Sequence, residues 1–191
     1  MHQALRRALL VIVALTAFDA AASDEQALLV AVKSALMQMK PTLHGLPTVL
    51  AETRQPDAEI VSAFEEQVQD PALLEAIKAP HAVVSLRAAA PPRTRFTTPA
   101  EVETVITAGT AEERRARFVK RFPFGILRFS AVGREPKSEL RFVTYEWLTA
   151  RIDKHGDFHL ASAELHLVEL ERRSDLLDGW KVIGQKAAAI D

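Results

Sequence analysis

The chain has 191 residues, 48% hydrophobic and 26% charged, with a formal net charge of −1, the size and balance of one soluble globular domain. It contains no cysteine, which excludes structural disulfides, thiolate metal sites, cysteine nucleophiles and lipid attachment through cysteine. There is no basic run with interleaved aromatics, so nucleic acid is not an expected partner.

Residues 1–22 carry the tripartite pattern of a secretory signal peptide. Arg6-Arg7 supplies charge, Ala8 to Phe18 is an apolar run broken only by Thr16, and Ala20-Ala21-Ala22 offers small residues for a cut after Ala22. Eleven residues at ~1.5 Å each cover about half of a ~30 Å hydrocarbon core, too little for a spanning anchor. The expectation is a periplasmic protein with one α+β domain over 23–191, helical over 23–80 and helix-plus-sheet over 81–191.

Ser23 and Gln26 read as a capping box for a helix with the stripe Leu28, Ala31, Val32, Ala35, Leu36 and Met39, stopped by Pro41. A break at His44-Gly45-Leu46-Pro47 leads to an expected short helix from Thr48 to Thr53. Asp57 caps a helix with Ile60, Val61, Phe64 and Val68 on one side. Asp70-Pro71 starts another, with Leu73, Leu74 and Ile77 inward. His81 to Leu86 reads as a short strand. Thr98-Pro99-Ala100-Glu101 and Thr110-Ala111-Glu112-Glu113 are two more capping boxes. The second opens an amphipathic helix with Phe118, Val119 and Phe122 on one side and Arg114, Arg115, Arg117, Lys120 and Arg121 around it.

Four strands follow: Gly125 to Val132, Leu140 to Ile152, Phe158 to Arg172, and Trp180 to Ala187; Ala161 to Arg173, rich in Ala, Leu and Glu, also reads as a helix, with strand favoured. Their connections contain Pro136, Gly156 and Asp178-Gly179, all turn signals. In the third strand the apolar parity changes between Leu165/Leu167 and Val168/Leu170, which predicts a β-bulge near Leu167-Val168. Helices followed by strands predict an α+β fold, with N-terminal helices packed on one face of a curved, mainly antiparallel sheet of four to five strands.

That element order, the bulged third strand and the closing Asp178-Gly179-Trp180-Lys181-Val182 segment resemble the NTF2-like superfamily, a cystatin-like cone closed by helices. The resemblance is at the level of the fold and spans about Ser23 to Ile190. It implies a cone-shaped pocket and includes both enzymes and non-catalytic binding domains, so it does not choose between them.

No P-loop, GxGxxG, HExxH or GxSxG motif is present, and no cofactor is implied. Asp153, His155, Asp157 and His159 share a hairpin but match no established ligand spacing, so no metal site is assigned. Tyr145, Trp147, Phe142 and Arg128 are the candidate ligand-binding residues, since sites in such folds are apolar with a few polar groups. Residues 81–141 carry 12 basic and 6 acidic side chains, and Arg114, Arg117 and Arg121 are candidates for contact with an anion or an anionic membrane surface. The expected function is non-catalytic binding of a small apolar or anionic ligand, or docking to an envelope protein. The alternative is an NTF2-like isomerase or hydrolase using an acid/base pair in the same pocket.

Overall fold

One long strand shows how the layers must be arranged. In Arg141–Ile152 the run from Phe142 to Glu146 is buried without interruption, and so is Leu148. Successive side chains of a strand point to opposite faces, so an unbroken buried run requires cover on both sides. A computed structural model, which describes residues 22–39, 45–56, 58–65, 70–78, 83–87, 91–135 and 138–189, supplies that cover.

The elements are α1 (22–38), β1 (Thr48–Leu50), α2 (Ala58–Glu65), α3 (Pro71–Lys78), β2 (Phe96–Thr97), α4 (Pro99–Ile106), α5 (Ala111–Arg121), β3 (Ile126–Phe129), β4 (Gly133–Arg134), β5 (Arg141–Ile152), β6 (Phe158–Arg172) and β7 (Trp180–Ala189). Among the described residues seven strands form one sheet in the order β2-β1-β3-β5-β6-β7, with β4 also paired to β5. β1 runs parallel to both β2 and β3; the other pairings are antiparallel. The fold is α+β with a mainly antiparallel, mixed sheet. The expected four to five strands become seven, because β1, β2 and β4 are only two or three residues long and carry no alternation of their own.

Helices cover both faces, not one. α1 lays Ala27, Leu28, Ala31, Val32, Ala35 and Leu36 on a face containing Leu127, Phe129, Val143, Tyr145, Val168 and Leu170. On the opposite face, Val61 of α2 and Ile77 of α3 cover Phe142, Leu165 and Leu167. Beside them, Val102 of α4 and Phe118 of α5 cover Ile126 and Leu148. This explains the parity change in β6. Leu165 and Leu167 serve one face while Val168 and Leu170 serve the other, with no phase shift between them. The bulge in β6 lies earlier, where the register slips between Glu146↔Leu165 and Leu148↔Ser162. A second slip places Ile183 of β7 outside the ladder, between Leu170↔Val182 and Glu169↔Gly184.

Other local expectations also change. Residues 22 and 23 are already helical, so Ser23 is not an N-cap. The segment from Thr48 is strand β1, not a helix; Thr48, Val49 and Leu50 are all buried, and Thr48 and Val49 are β-branched. The strand expected from Gly125 to Val132 ends at Phe129 and resumes as β4. The segment at 83–87 makes one isolated bridge, Glu52↔Ser85. Asp178-Gly179 closes a longer loop in which the Arg173 N–H donates to the Gly179 carbonyl at 2.9 Å. Pro41, His44, Asp57 and Val68 lie outside the described residues, as do 1–21.

Both capping boxes form. Thr98 accepts from the Glu101 N–H at 3.2 Å while the Glu101 carboxylate accepts from the Thr98 N–H at 2.9 Å. Thr110 and Glu113 repeat this at 3.3 and 2.9 Å. These bonds hold Glu101 and Glu113 below the usual carboxylate range, chiefly through the backbone N–H of each cap.

Candidate functional site

The turn from α5 into the sheet builds the first cleft. Phe122 ends α5, its N–H donating to the Phe118 carbonyl at 2.7 Å, and Pro123 cannot continue the helix. Gly125, at φ +75°, then directs the chain into β3. A Cβ at Gly125 would sit 2.5 Å from the Trp147 indole nitrogen. The glycine lets the indole lie against the turn, where its N–H donates to the Phe124 carbonyl at 2.9 Å. On the other side, a Cβ at Gly45 would approach the Phe124 ring to 2.7 Å. Trp147 is thus bonded to the backbone, and Phe124 lies close against the backbone of Gly45.

Between them is a cleft of about 350 Å³, lined by Met39, Pro47, Val119, Phe124, Trp147 and Thr149 among others. Among the described residues, none that lines it is titratable. Val119 is 50% and Trp147 41% exposed, so a ligand would reach both. The cleft lies where β5 extends past the first residue of β3, since Ile126 pairs with Leu148.

A second cleft of about 450 Å³ opens between α4 and the segment that follows β1, residues 52–54. Leu50, Val102, Ile106 and Leu160 make apolar walls, and Arg128 lies at the floor. Arg128 is clamped by Glu146, with Nε to Oε2 at 2.6 Å and Nη2 to Oε1 at 2.8 Å. The Glu146 side chain is 1% exposed and that of Arg128 10%. This bidentate pair satisfies both charges within the protein. Ser130 and Thr144 are buried near it in sequence and register. The Ser130 hydroxyl is buried with no hydrogen-bond partner among the described residues.

A third cluster sits beside α1. The Tyr145 and His166 rings stack at 4.6 Å and 3°, and His166 Nε2 lies 3.0 Å from the Glu164 carboxylate. Burial pushes the Tyr145 phenol up to about 12, with the Glu164 charge adding to it. Burial lowers the His166 pKa, opposed by Glu164. None of the three lines either cleft.

The four expected ligand-binding residues are not brought together. Tyr145 and Trp147 are on the α1 face, with Trp147 in the first cleft and Tyr145 in the core. Phe142 and Arg128 are on the other face, Phe142 packed with Val61 and Ile77, and Arg128 beneath the second cleft. The three arginines of α5 also diverge. Arg117 donates to the carbonyls of Val105, at 3.0 Å, and Ala108, finishing the end of α4. Arg114 lies over the Phe158 ring at 5.2 Å, and Arg121 lies 6.0 Å from the Phe122 ring.

Asp153 holds the hairpin tip. It accepts from the His155 and Asp157 N–H groups at 2.8 and 3.0 Å and lies 2.9 Å from His159 Nε2. These bonds, the Asp157 N–H first, lower its pKa. Among the described residues no group of three or more His, Cys, Asp or Glu could hold a metal, and no helix is long and apolar enough to cross a membrane.

Phe124, and the pairing of Glu146 with Arg128, were missed by sequence reasoning. A glutamate opposite in sign to Arg128, both inside apolar strands, was the available signal for the ion pair. Phe124 beside Gly125 gave no signal beyond a turn. No protein-family model, curated protein or solved structure matches the chain.

Proposed function

We propose that this is an exported, periplasmic binding protein without catalytic activity, and that a small apolar ligand occupies the Trp147 cleft. The carrying observation is a cleft with two aromatic walls, Trp147 bonded to the backbone and Phe124 close against Gly45, and no titratable lining residue among the described residues. Apolar walls with a few polar groups are what ligand sites provide, whereas acid–base chemistry needs a titratable group within reach of the bound molecule. Export is supported by the charged, apolar and small-residue pattern of residues 1–22. A fold of the NTF2-like kind belongs to the same proposal, supported by helices that precede a long antiparallel run with a bulged strand.

The chain has two tryptophans, and Trp180 is buried in the core under α1. In a Trp180→Phe variant, emission therefore reports the cleft alone. Addition of N-phenyl-1-naphthylamine is expected to quench Trp147 saturably, and Val119→Glu is expected to abolish the response. A linear, unsaturable response in the parent protein would sink the binding site. Export is tested by N-terminal sequencing of protein from the envelope fraction, which is expected to begin at Ser23; a chain retaining Met1 would contradict it.

The enzymatic alternative draws on Tyr145, His166 and Glu164, an acid/base cluster on the same face as Trp147. Because the cleft lining omits all three, binding is preferred. Turnover of an ester or ketone that disappears in His166→Gln would reverse the preference.

A further inference from the structure

The Trp147 cleft lies beside an unfinished stretch of sheet, and this narrows its occupant, on the premise that the cleft is a binding site. β3 begins at Ile126, opposite Leu148, while β5 runs on to Ile152. Alternate residues of a strand turn their N–H and C=O groups toward alternate neighbours. The Ser130 N–H, just past β3, donates to the Thr144 carbonyl at 2.7 Å, so the even-numbered residues of β5 face β3. At the other end the Asp153 N–H donates to the Asp157 carbonyl at 3.0 Å, so the odd-numbered ones face β6. The register slip between Glu146 and Leu148 leaves this alternation intact, because the extra residue belongs to β6.

Ala150 and Ile152 therefore each present an N–H and a C=O to the side where β3 has not yet begun. Among the described residues nothing bonds to them there. The turn before β3 does not continue the ladder. The Gly125 N–H donates to the Phe122 carbonyl at 3.0 Å, the Gly125 carbonyl accepts from the Thr48 N–H at 3.1 Å, and the Phe124 carbonyl takes the Trp147 indole. The cleft occupies this gap, since Thr149 and Ala150 line it together with Phe124 and Gly125. Thr149 shares its face of β5 with Trp147, and Ala150 packs on the Phe118–Phe122 core. A strand laid along Thr149–Ile152 would send successive side chains to these two faces, one toward Trp147 and the next toward α5.

We propose that the apolar occupant of the cleft is a side chain of an extended peptide segment from another protein, which adds to β5 as a short strand. The backbone groups of Ala150 and Ile152 select for a peptide. A hydrocarbon in the cleft leaves them to water, whereas an extended backbone offers matching donors and acceptors at strand spacing. The segment needs an aromatic or aliphatic side chain beside Trp147, and no proline at the residues that donate to the Ala150 and Ile152 carbonyls. An edge that stays unpaired is commonly blunted by a proline or a bulge; Thr149–Ile152 contains no proline, and β5 has no bulge against β3.

Amide hydrogen exchange, read residue by residue by NMR, tests this with acetyl-Thr-Thr-Phe-Thr-Thr-amide as the probe. In the free protein the Ala150 and Ile152 amides are expected to exchange fast, and those of Thr149 and Arg151, turned toward β6, slowly. At a peptide concentration about ten times the Kd, Ala150 and Ile152 are expected to slow about tenfold, with Thr149 and Arg151 unchanged. The peptide is also expected to displace N-phenyl-1-naphthylamine from the cleft. Ile152→Pro removes one outward N–H and no bond to β6. It is expected to weaken peptide binding about tenfold and to leave naphthylamine binding as in the parent, which reports an intact cleft. Slow exchange of Ala150 and Ile152 in the free protein would overturn the open edge. Displacement of the naphthylamine without slowing of the two amides would overturn the added strand, leaving recognition of the phenyl ring alone. Naphthylamine binding with no displacement by the peptide would overturn the peptide and keep the apolar cleft, and failure of both to bind would remove the site itself.

Discussion

The buried Arg128–Glu146 pair makes a sharp quantitative prediction. Replacing Glu146 by Leu removes the acceptor of two charge-assisted bonds, at 2.6 and 2.8 Å. The Arg128 guanidinium then stays buried with its carboxylate gone. Removing one partner of such a pair costs about 3–5 kcal/mol, a large share of the ~5–15 kcal/mol that holds a typical domain together. At a urea m-value of ~2 kcal/mol per molar, the midpoint falls by about 2 M. Arg128→Met alone is expected to be costly for the mirror reason. The double variant Arg128→Met/Glu146→Leu places two apolar side chains among Leu50, Ile126 and Leu148. It is expected within about 1 kcal/mol of the parent, or above it, because desolvating two charges offsets most of what their attraction returns. Equilibrium urea unfolding of the four proteins, followed by far-UV circular dichroism, measures the coupling. Added salt is expected to change it little, since buried pairs are poorly screened. A Glu146→Leu cost below about 1 kcal/mol, or a double variant that loses the sum of both singles, would refute the bidentate buried pair.

Three further outcomes are expected. Tyr145 is the chain's one tyrosine, so absorbance at 295 nm titrates it directly. With the folded phenol pushed up to about 12, its contribution to stability is full below pH ~10, the unfolded value, and is lost as pH rises from there toward the folded value; a native midpoint near 10 would contradict its burial. Gly125→Ala is expected to cost about 1–3 kcal/mol and to shift Trp147 emission, because the new Cβ meets the indole nitrogen at 2.5 Å and the Leu148 carbonyl at 2.7 Å in a backbone at φ +75°; unchanged stability and emission would count against the pinned indole. Thr98→Ala and Thr110→Ala each remove an N-cap and are expected to lower stability by about 1 kcal/mol, or Tm by about 2–4 °C, in thermal melts; no change in either would mean that the caps contribute nothing.

The long strands were legible because turn chemistry brackets them. β6 is a strand despite its helix-forming Ala, Leu and Glu content, and it pairs with β7 on one side and β5 on the other. Its two buried faces were not legible as such. In β5, likewise, Val143 and Tyr145 look like part of a polar parity until α1 is seen to cover them. The cleft was half legible. Trp147 stands out as a large aromatic in a strand, but its partners Val119, Phe124 and Met39 come from distant elements.

Local bonding alone settled where α4 and α5 begin, because Thr98 and Thr110 find their partners three residues away and need nothing from the rest of the chain. Gly156 and Gly179 reverse the chain for the same reason, at φ +86° and +69°. The folded context decided that Thr48–Leu50 would be a strand, held by Phe96–Thr97 on one side and Ile126–Leu127 on the other, since burial between remote segments outweighs a weak local preference. It likewise decided that Arg128 meets Glu146 and that Trp147 faces Phe124 across a cleft, because such contacts exist only once the chain has closed on itself.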